Sequence, residues 1–213
     1  ILDQEVFKIV YKRVLRAKLI KKVIILTTTL KTDEKIVKIC KNSKIPYFRG
    51  NSLNVLKRYY DAAKKNNLKH IVRITSDCPL VDPKVIDKIC KKYSKNKYHY
   101  VSNVLKPTYT DGFDVEVFDF NTLEKVYRKA KTKFEKEHVT TKMIKDNKLK
   151  KLNIKLSKNY SNFRFTLDTL SDYKKIKKIF ESLKSIYKPN LKMILKTAIK
   201  QKDYYIKERP NYF

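Results

Sequence analysis

Two aspartates occupy matching places in the sequence. Asp77 follows the β-branched run at residues 71–75, and Asp168 follows the run at residues 164–167, each just ahead of a helical pattern. In an α/β protein this is the edge where ligands bind, because the loops that leave the carboxyl ends of the strands meet there. Two carboxylates at such an edge suit a hard divalent cation such as Mg2+, which is commonly held by one or two carboxylates together with substrate phosphates. The plainer alternative is that each aspartate only opens a turn or caps a helix.

Other residues could share that edge. Asp114 and Glu116 are two apart in an alternating run, so both project from one face while Val115 and Val117 fill the other. They would bind substrate hydroxyls or help hold a metal, or else form a solvated sheet face. Asp111-Gly112 before them is a turn, with Gly112 supplying backbone freedom. Arg73 and Thr75 project away from Val72 and Ile74, where Arg73 meets a triphosphate or a base, or forms a structural ion pair. Arg49-Gly50 closes an earlier strand, with Gly50 letting backbone approach a ligand, and Arg58 in the next helix is as readily a surface residue. Of the histidines, His138 in KEHVTT is the one to follow; His70 and His99 are ordinary flanking residues.

The elements that must position these groups alternate between helical and strand periodicity, the mark of an α/β sheet. Val6, Val10 and Val14 make a helix face, residues 23–26 a buried strand, Thr32 a helix start and residues 45–48 a short strand. Leu56, Tyr59, Tyr60 and Ala63 mark a third helix, and residues 71–75 a strand. Asp82-Pro83 is an N-cap followed by proline at the first helical position, ahead of Val85, Ile86 and Ile89. Strands are expected at residues 98–102 and 113–118, helices at 123–130 and 135–144, and an exposed edge strand through Leu152, Ile154 and Leu156. Residues 164–167 complete the strands, Ser171 is placed to cap a helix bearing Ile176, Ile179 and Phe180, and a last helix covers about 191–202. No repeat or linker divides the chain. The expectation is one domain over 1–213, a three-layer α/β/α arrangement with a mostly parallel sheet, and a C-terminal helix and tail from about 190 to 213.

Composition narrows the function classes. A chain of 213 residues, 42% of them hydrophobic, can bury one sizeable core. The longest uninterrupted apolar run, residues 23–26, falls far short of the ~18 needed to cross a bilayer. The opening residues mix charge with apolar positions at helical spacing, unlike a signal peptide or an anchor. Cys40, Cys78 and Cys90 lack metal-ligand spacing and suit reduced thiols in a cytoplasm. The net charge of +31 invites a nucleic-acid reading. It is built, however, from 44 Lys and 8 Arg spread from end to end, although Arg supplies the fork best suited to phosphates. A lysine-biased composition accounts for it, and no specific nucleic acid is expected.

Taken in order, FRGNSLNVLKRYYDAA, HIVRITSDCPLVDP, YVSNVLKPTYTDGFDVEVF, EKEHVTTKMI and FRFTLDTLSDY resemble the spore-coat polysaccharide F-type cytidylyltransferases, a group similar to CMP-Kdo and acylneuraminate synthetases. The match spans nearly the whole chain to about Leu183. It implies a nucleotide-diphospho-sugar-transferase fold and transfer of CMP from CTP to an acidic sugar, with release of pyrophosphate and with a homodimer as the assembly. Residue by residue, it implies Mg2+ at Asp77 and Asp168, and Arg73, Thr75 and Arg49 on the nucleotide side. Asp111, Asp114, Glu116 and His138 would line the sugar side, and Arg58 would support the cleft.

The chain departs from the family pattern in several places. The family's first strand and its glycine-, arginine- and lysine-containing phosphate loop do not precede the opening helix, so the resemblance implies that the chain as it stands is incomplete for activity. Asn51 stands where the family usually has Ser, Lys136 replaces an Arg before Glu137-His138, and Thr141 replaces a Pro. Two rivals are carried forward: another nucleotidyltransferase or glycosyltransferase of the same fold, and a non-catalytic basic protein that binds nucleic acid or serves as a scaffold.

Overall fold

The computed structural model describes residues 1–95, 97–201 and 204. Its helices are α1 (Val6–Val14), α2 (Glu34–Asn42), α3 (Val55–Lys65), α4 (Pro83–Tyr93), α5 (Phe120–Lys129), α6 (Lys133–Glu137), α7 (Thr141–Lys145), α8 (Leu170–Ser182) and α9 (Leu191–Gln201). Its strands are β1 (Ile25–Thr28), β2 (Tyr47–Gly50), β3 (His70–Arg73), β4 (Tyr100–Ser102), β5 (Glu116–Asp119) and β6 (Lys151–Asn153). Among the described residues these strands form a parallel pair, β1-β2, and a four-stranded sheet ordered β3-β5-β4-β6. Within each sheet every strand shares one direction except β5, which runs against both β3 and β4.

Side-chain alternation explains how helices come to cover both faces of the four-stranded sheet. Ile71, Tyr100 and Phe118 stand in register and pack against Leu56 and Ala63 of α3 and Leu123 and Val126 of α5. Val101 and Val117 point the other way, into a core built from α1, α4, α8 and α9. The Asp82 side chain caps α4 by accepting from Lys84 N at 2.8 Å, with Pro83 at its first position as the sequence predicts.

Several boundaries differ from the sequence expectation because pairing partners, not local hydrophobicity, set them. The strand expected at 23–26 lies two residues later, where Ile25 to Thr28 register with Tyr47 to Gly50. The one expected at 45–48 shifts likewise: Ile45 N–H is used to close α2 on Cys40 O at 2.8 Å, and Pro46 has no N–H to give. Residues 113–115 precede β5 rather than belonging to it. The run at 164–167 is not a strand, because its N–H groups go to different places: Phe165 to Asp111 O and Leu167 to Asp77 O, both at 2.9 Å. An isolated parallel bridge, Asp111 to Arg164, lies there.

Three helix expectations also change. Thr32 lies in a 3-10 turn, Lys31–Asp33, that leads into α2. The helix expected over 135–144 breaks into α6 and α7 at Val139, which takes a φ of 44° and is fully buried. Ser171 does not cap α8; Thr169 does, in a capping box with Asp172. The end of the last expected helix at Lys202, and the tail apart from Tyr204, lie outside the described residues. No helix among them is long and apolar enough to cross a membrane.

Candidate active site

The reversed direction of β5 concentrates acidic side chains at one sheet edge. β3 and β4 end there, while the segment entering β5, residues 111–115, must begin there. The chain comes back to the same edge at residues 163–168, held by Asp111 N–H to Phe163 O and by Leu167 N–H to Asp77 O, each 2.9 Å. Asp77 and Asp168, 91 positions apart in the chain, are thereby brought onto touching segments. Asp168 is exposed, Asp77 and Asp114 are half-buried, and Asp111 is buried.

Cys78 reports the electrostatics of this corner. Burial pushes its thiol pKa well up, and the carboxylates of Asp77, Asp114 and Asp111 push it further. On a chain of +31, this is a local region of negative potential. Thr75 lies beside it, its Oγ1 3.1 Å from Cys78 Sγ.

Among the described residues Arg164 is a cation that reaches several of these carboxylates. Its Nε is 3.8 Å from Asp111 Oδ2, its Nη1 2.8 Å from Asp172 Oδ1, and its Nη2 pairs with Asp168 Oδ2. Thr166 Oγ1 donates to the same Asp168 oxygen at 3.1 Å. The fields of Asp172, Asp168 and Asp111 outweigh burial and hold the Arg164 guanidinium above its ordinary pKa. Sequence reasoning passed over Arg164. The signal was present, since Arg164, Thr166 and Asp168 alternate with Phe165 and Leu167.

Arg73 and Glu116 engage each other. They are partners in register across β3 and β5, the Arg73 guanidinium pairs with Glu116 Oε2, and Tyr100 donates to Glu116 Oε1 at 2.5 Å. Glu116 is 1% exposed. Neither a solvated sheet face nor a carboxylate open to a sugar describes it, and of the two readings for Arg73 the geometry favours the structural pair. Tyr100 was not singled out in the sequence.

The remaining candidates hold loops. Arg49 donates to Thr28 O at 2.9 Å and Leu30 O at 3.2 Å and pairs with Glu34, which fixes the loop after β1. Arg58 donates to Asn51 O at 2.9 Å and Ser52 O at 3.3 Å. A Cβ on Gly50 would fall 2.8 Å from Arg58 Cγ, so this glycine makes room for a side chain of its own protein. His138 caps the end of α6 and lies against Phe134, ring centroids 4.3 Å apart, rather than inside a helix.

Among the described residues no group of three or more His, Cys, Asp or Glu side chains is arranged to hold a metal ion. Asp77 and Asp168 offer hard oxygen donors on touching segments, which fits a cation such as Mg2+ provided substrate phosphates and water supply the other ligands.

Comparison with known proteins places this geometry. A family model described as cytidylyltransferase matches residues 1–209. An uncharacterised protein of Methanocaldococcus jannaschii is 35% identical over 177 residues, which cover 81% of this chain and 71% of that protein. The spore coat polysaccharide biosynthesis protein SpsF of Bacillus subtilis is 27% identical over 164 residues, 74% of this chain and 66% of that protein. The structure of a cytidylyltransferase from Leptospira borgpetersenii superposes with a TM-score of 0.90 at 27% identity, covering 98% of this chain and 89% of that one. A CMP:2-keto-3-deoxy-manno-octonic acid synthetase solved with CTP superposes at 0.63 with 8% identity, covering 85% of this chain and 90% of that one, which shows likeness of fold alone. The architecture is the α/β nucleotide-sugar-transferase fold, with helices flanking mostly parallel sheets.

Proposed function

The chain belongs to the cytidylyltransferase family, and from that premise we propose that it transfers CMP from CTP to an acidic sugar in the cytoplasm, for a surface polysaccharide or glycan. The observation that carries this reading is the acid corner, where the Asp77 backbone accepts from Leu167 N–H, next in the chain to Asp168, at the edge where open α/β sheets bind their ligands.

In the reaction a hydroxyl of the sugar attacks the α-phosphorus of CTP. A new oxygen–phosphorus bond forms, the bond to the bridging oxygen between the α- and β-phosphates breaks, pyrophosphate leaves, and the hydroxyl proton passes to solvent. Asp77 and Asp168 would hold Mg2+, whose chemistry is to offset charge on the phosphates. Thr75 borders the nucleotide side, while Asp111, Asp114 and His138 face the sugar. Arg73 and Glu116 fix the sheet edge under the site through each other, and Arg49 and Arg58 hold the loops beside it. Positioning and charge placement supply the rate enhancement, and no covalent enzyme intermediate is needed. Two copies would associate as a homodimer, which light scattering on the purified protein would reveal.

The test is pyrophosphate release from CTP with Mg2+ and a panel of acidic sugars. It would be run on this chain, with any upstream sequence its gene encodes, beside Asp77→Asn. Sugar-dependent release that falls on the order of 100-fold or more in the variant supports both reaction and site. A folded protein that releases nothing, binds no CTP with Mg2+, and instead binds polynucleotide in a salt-sensitive way indifferent to Asp77→Asn would transfer the reading to a basic scaffold.

A further inference from the structure

This inference rests on the nucleotidyltransferase reading and concerns Arg164. Five aspartates crowd the corner: Asp77, Asp111 and Asp114 act together on Cys78, and Asp111, Asp168 and Asp172 act together on Arg164. Arg164 places a positive charge among them and reaches three of the five.

The guanidinium has little freedom to leave. Hydrogen bonds from Asp111 N to Phe163 O and from Phe165 N to Asp111 O, both 2.9 Å, fix the backbone on either side of it. Asp172 is committed as well, because its Oδ2 accepts from Asp168 N at 3.1 Å, Thr169 N at 2.9 Å and Thr169 Oγ1 at 2.9 Å. Asp168 differs: its side chain is 51% exposed, and among the described residues only Oδ2 is taken, by Arg164 and Thr166.

Two consequences follow from simple electrostatics. The Arg164 fork fixes the direction in which Asp168 presents its other oxygen. The same positive charge also repels a divalent cation approaching that carboxylate, twice as strongly as it would a monovalent one. Nucleotide phosphates would reverse the balance by bringing negative charge to the solvent side of Asp168. We propose that Arg164 is a positioning residue that fixes the orientation of the Asp168 carboxylate and keeps the corner's affinity for a free divalent cation low, so that cation and nucleotide enter together.

The experiment measures Mn2+ binding to the nucleotide-free protein by electron paramagnetic resonance, for wild type, Arg164→Gln and Arg164→Lys, with pyrophosphate release measured alongside. Arg164→Gln should bind Mn2+ on the order of tenfold more tightly, the size expected for removing one charge near a divalent ion at an exposed site, while its kcat falls. Arg164→Lys keeps the charge and loses the fork, so Mn2+ affinity should stay within about twofold of wild type while kcat falls. A folded Arg164→Gln that binds Mn2+ no more tightly than wild type overturns the proposal, as does absence of Mn2+ binding from both. Where Arg164→Gln fails to fold, Arg164→Lys decides: a roughly tenfold loss of Mn2+ affinity would mean that the fork builds the cation site rather than restraining it. A tighter Mn2+ site in a protein whose wild type releases no pyrophosphate would end the cytidylyltransferase reading and leave the role of Arg164 standing.

Discussion

Arg73 and Glu116, 43 positions apart in the chain, stand opposite each other across β3 and β5 and pair through their side chains. Glu116 is almost wholly removed from water, and its second oxygen accepts from Tyr100, so the pair joins three strands of one sheet. Removing one partner strands the other's charge in a low-dielectric setting. Glu116→Ala should therefore cost about 3 to 5 kcal/mol in urea denaturation, while a double replacement by apolar residues of similar volume should recover much of that loss. Independent, additive losses in the double-mutant cycle would show that the pair is not coupled.

Arg13 is fully buried and donates to four carbonyls: Val81 at 2.8 Å, Leu80 at 3.3 Å, Ile186 at 2.7 Å and Pro189 at 2.7 Å. Burial lowers its pKa to about 10, with Asp82 opposing the shift. It ties α1 to the start of α4 and to the loop before α9. Arg13→Met keeps most of the volume but orphans the carbonyls, and should cost about 3 kcal/mol or more by denaturant midpoint. A wild-type midpoint would refute this role.

Gly112 takes a φ of 94°, and an added Cβ would lie 2.8 Å from the backbone C and O of Phe165. Gly112→Ala is expected to destabilise by about 2 kcal/mol or more. Because residues 111 and 165 frame the acid corner, it should also weaken Mg2+-dependent CTP binding. Calorimetric melting and nucleotide titration would check the two effects separately.

Glu135 should make stability fall in acid. A hydrogen bond from Lys142, with further ones from the Lys131 and Thr132 backbone, lowers its pKa from 4.5 to about 2. The folded value lies below the unfolded one, so the contribution is fully present above pH 4.5 and is lost as pH falls toward 2. Glu135→Gln should flatten the pH profile relative to wild type across that window. Thr132→Ala, which removes the other half of the capping box, should cost about 1 kcal/mol.

Much of the architecture was legible in local pattern. The alternation of helix and strand, the Asp82-Pro83 cap and the opposed faces of Val117 and Phe118 follow from rules that operate within a few residues. So does the placement of Asp77 just past a strand. Local pattern misjudged the places where a group's partner lies far along the chain. Residues 164–167 have strand composition, yet their N–H groups go to three different segments, at Tyr204, Asp111 and Asp77; Val139 interrupts a helical run at a φ of 44° while buried in the core.

The chemistry divides along the same line. The sequence by itself determined which residue types were available at the strand ends, because side-chain direction in a strand and the start of the next helix are set by backbone geometry alone. Only the tertiary structure decided how those groups are used: Glu116 is taken up by Arg73 and Tyr100, and Asp168 meets Arg164 beside the backbone of Asp77. The physical reason is that charge pairing and desolvation depend on distance through space, which the reversed strand β5 sets when it brings residues 111–116 back to the edge where β3 ends.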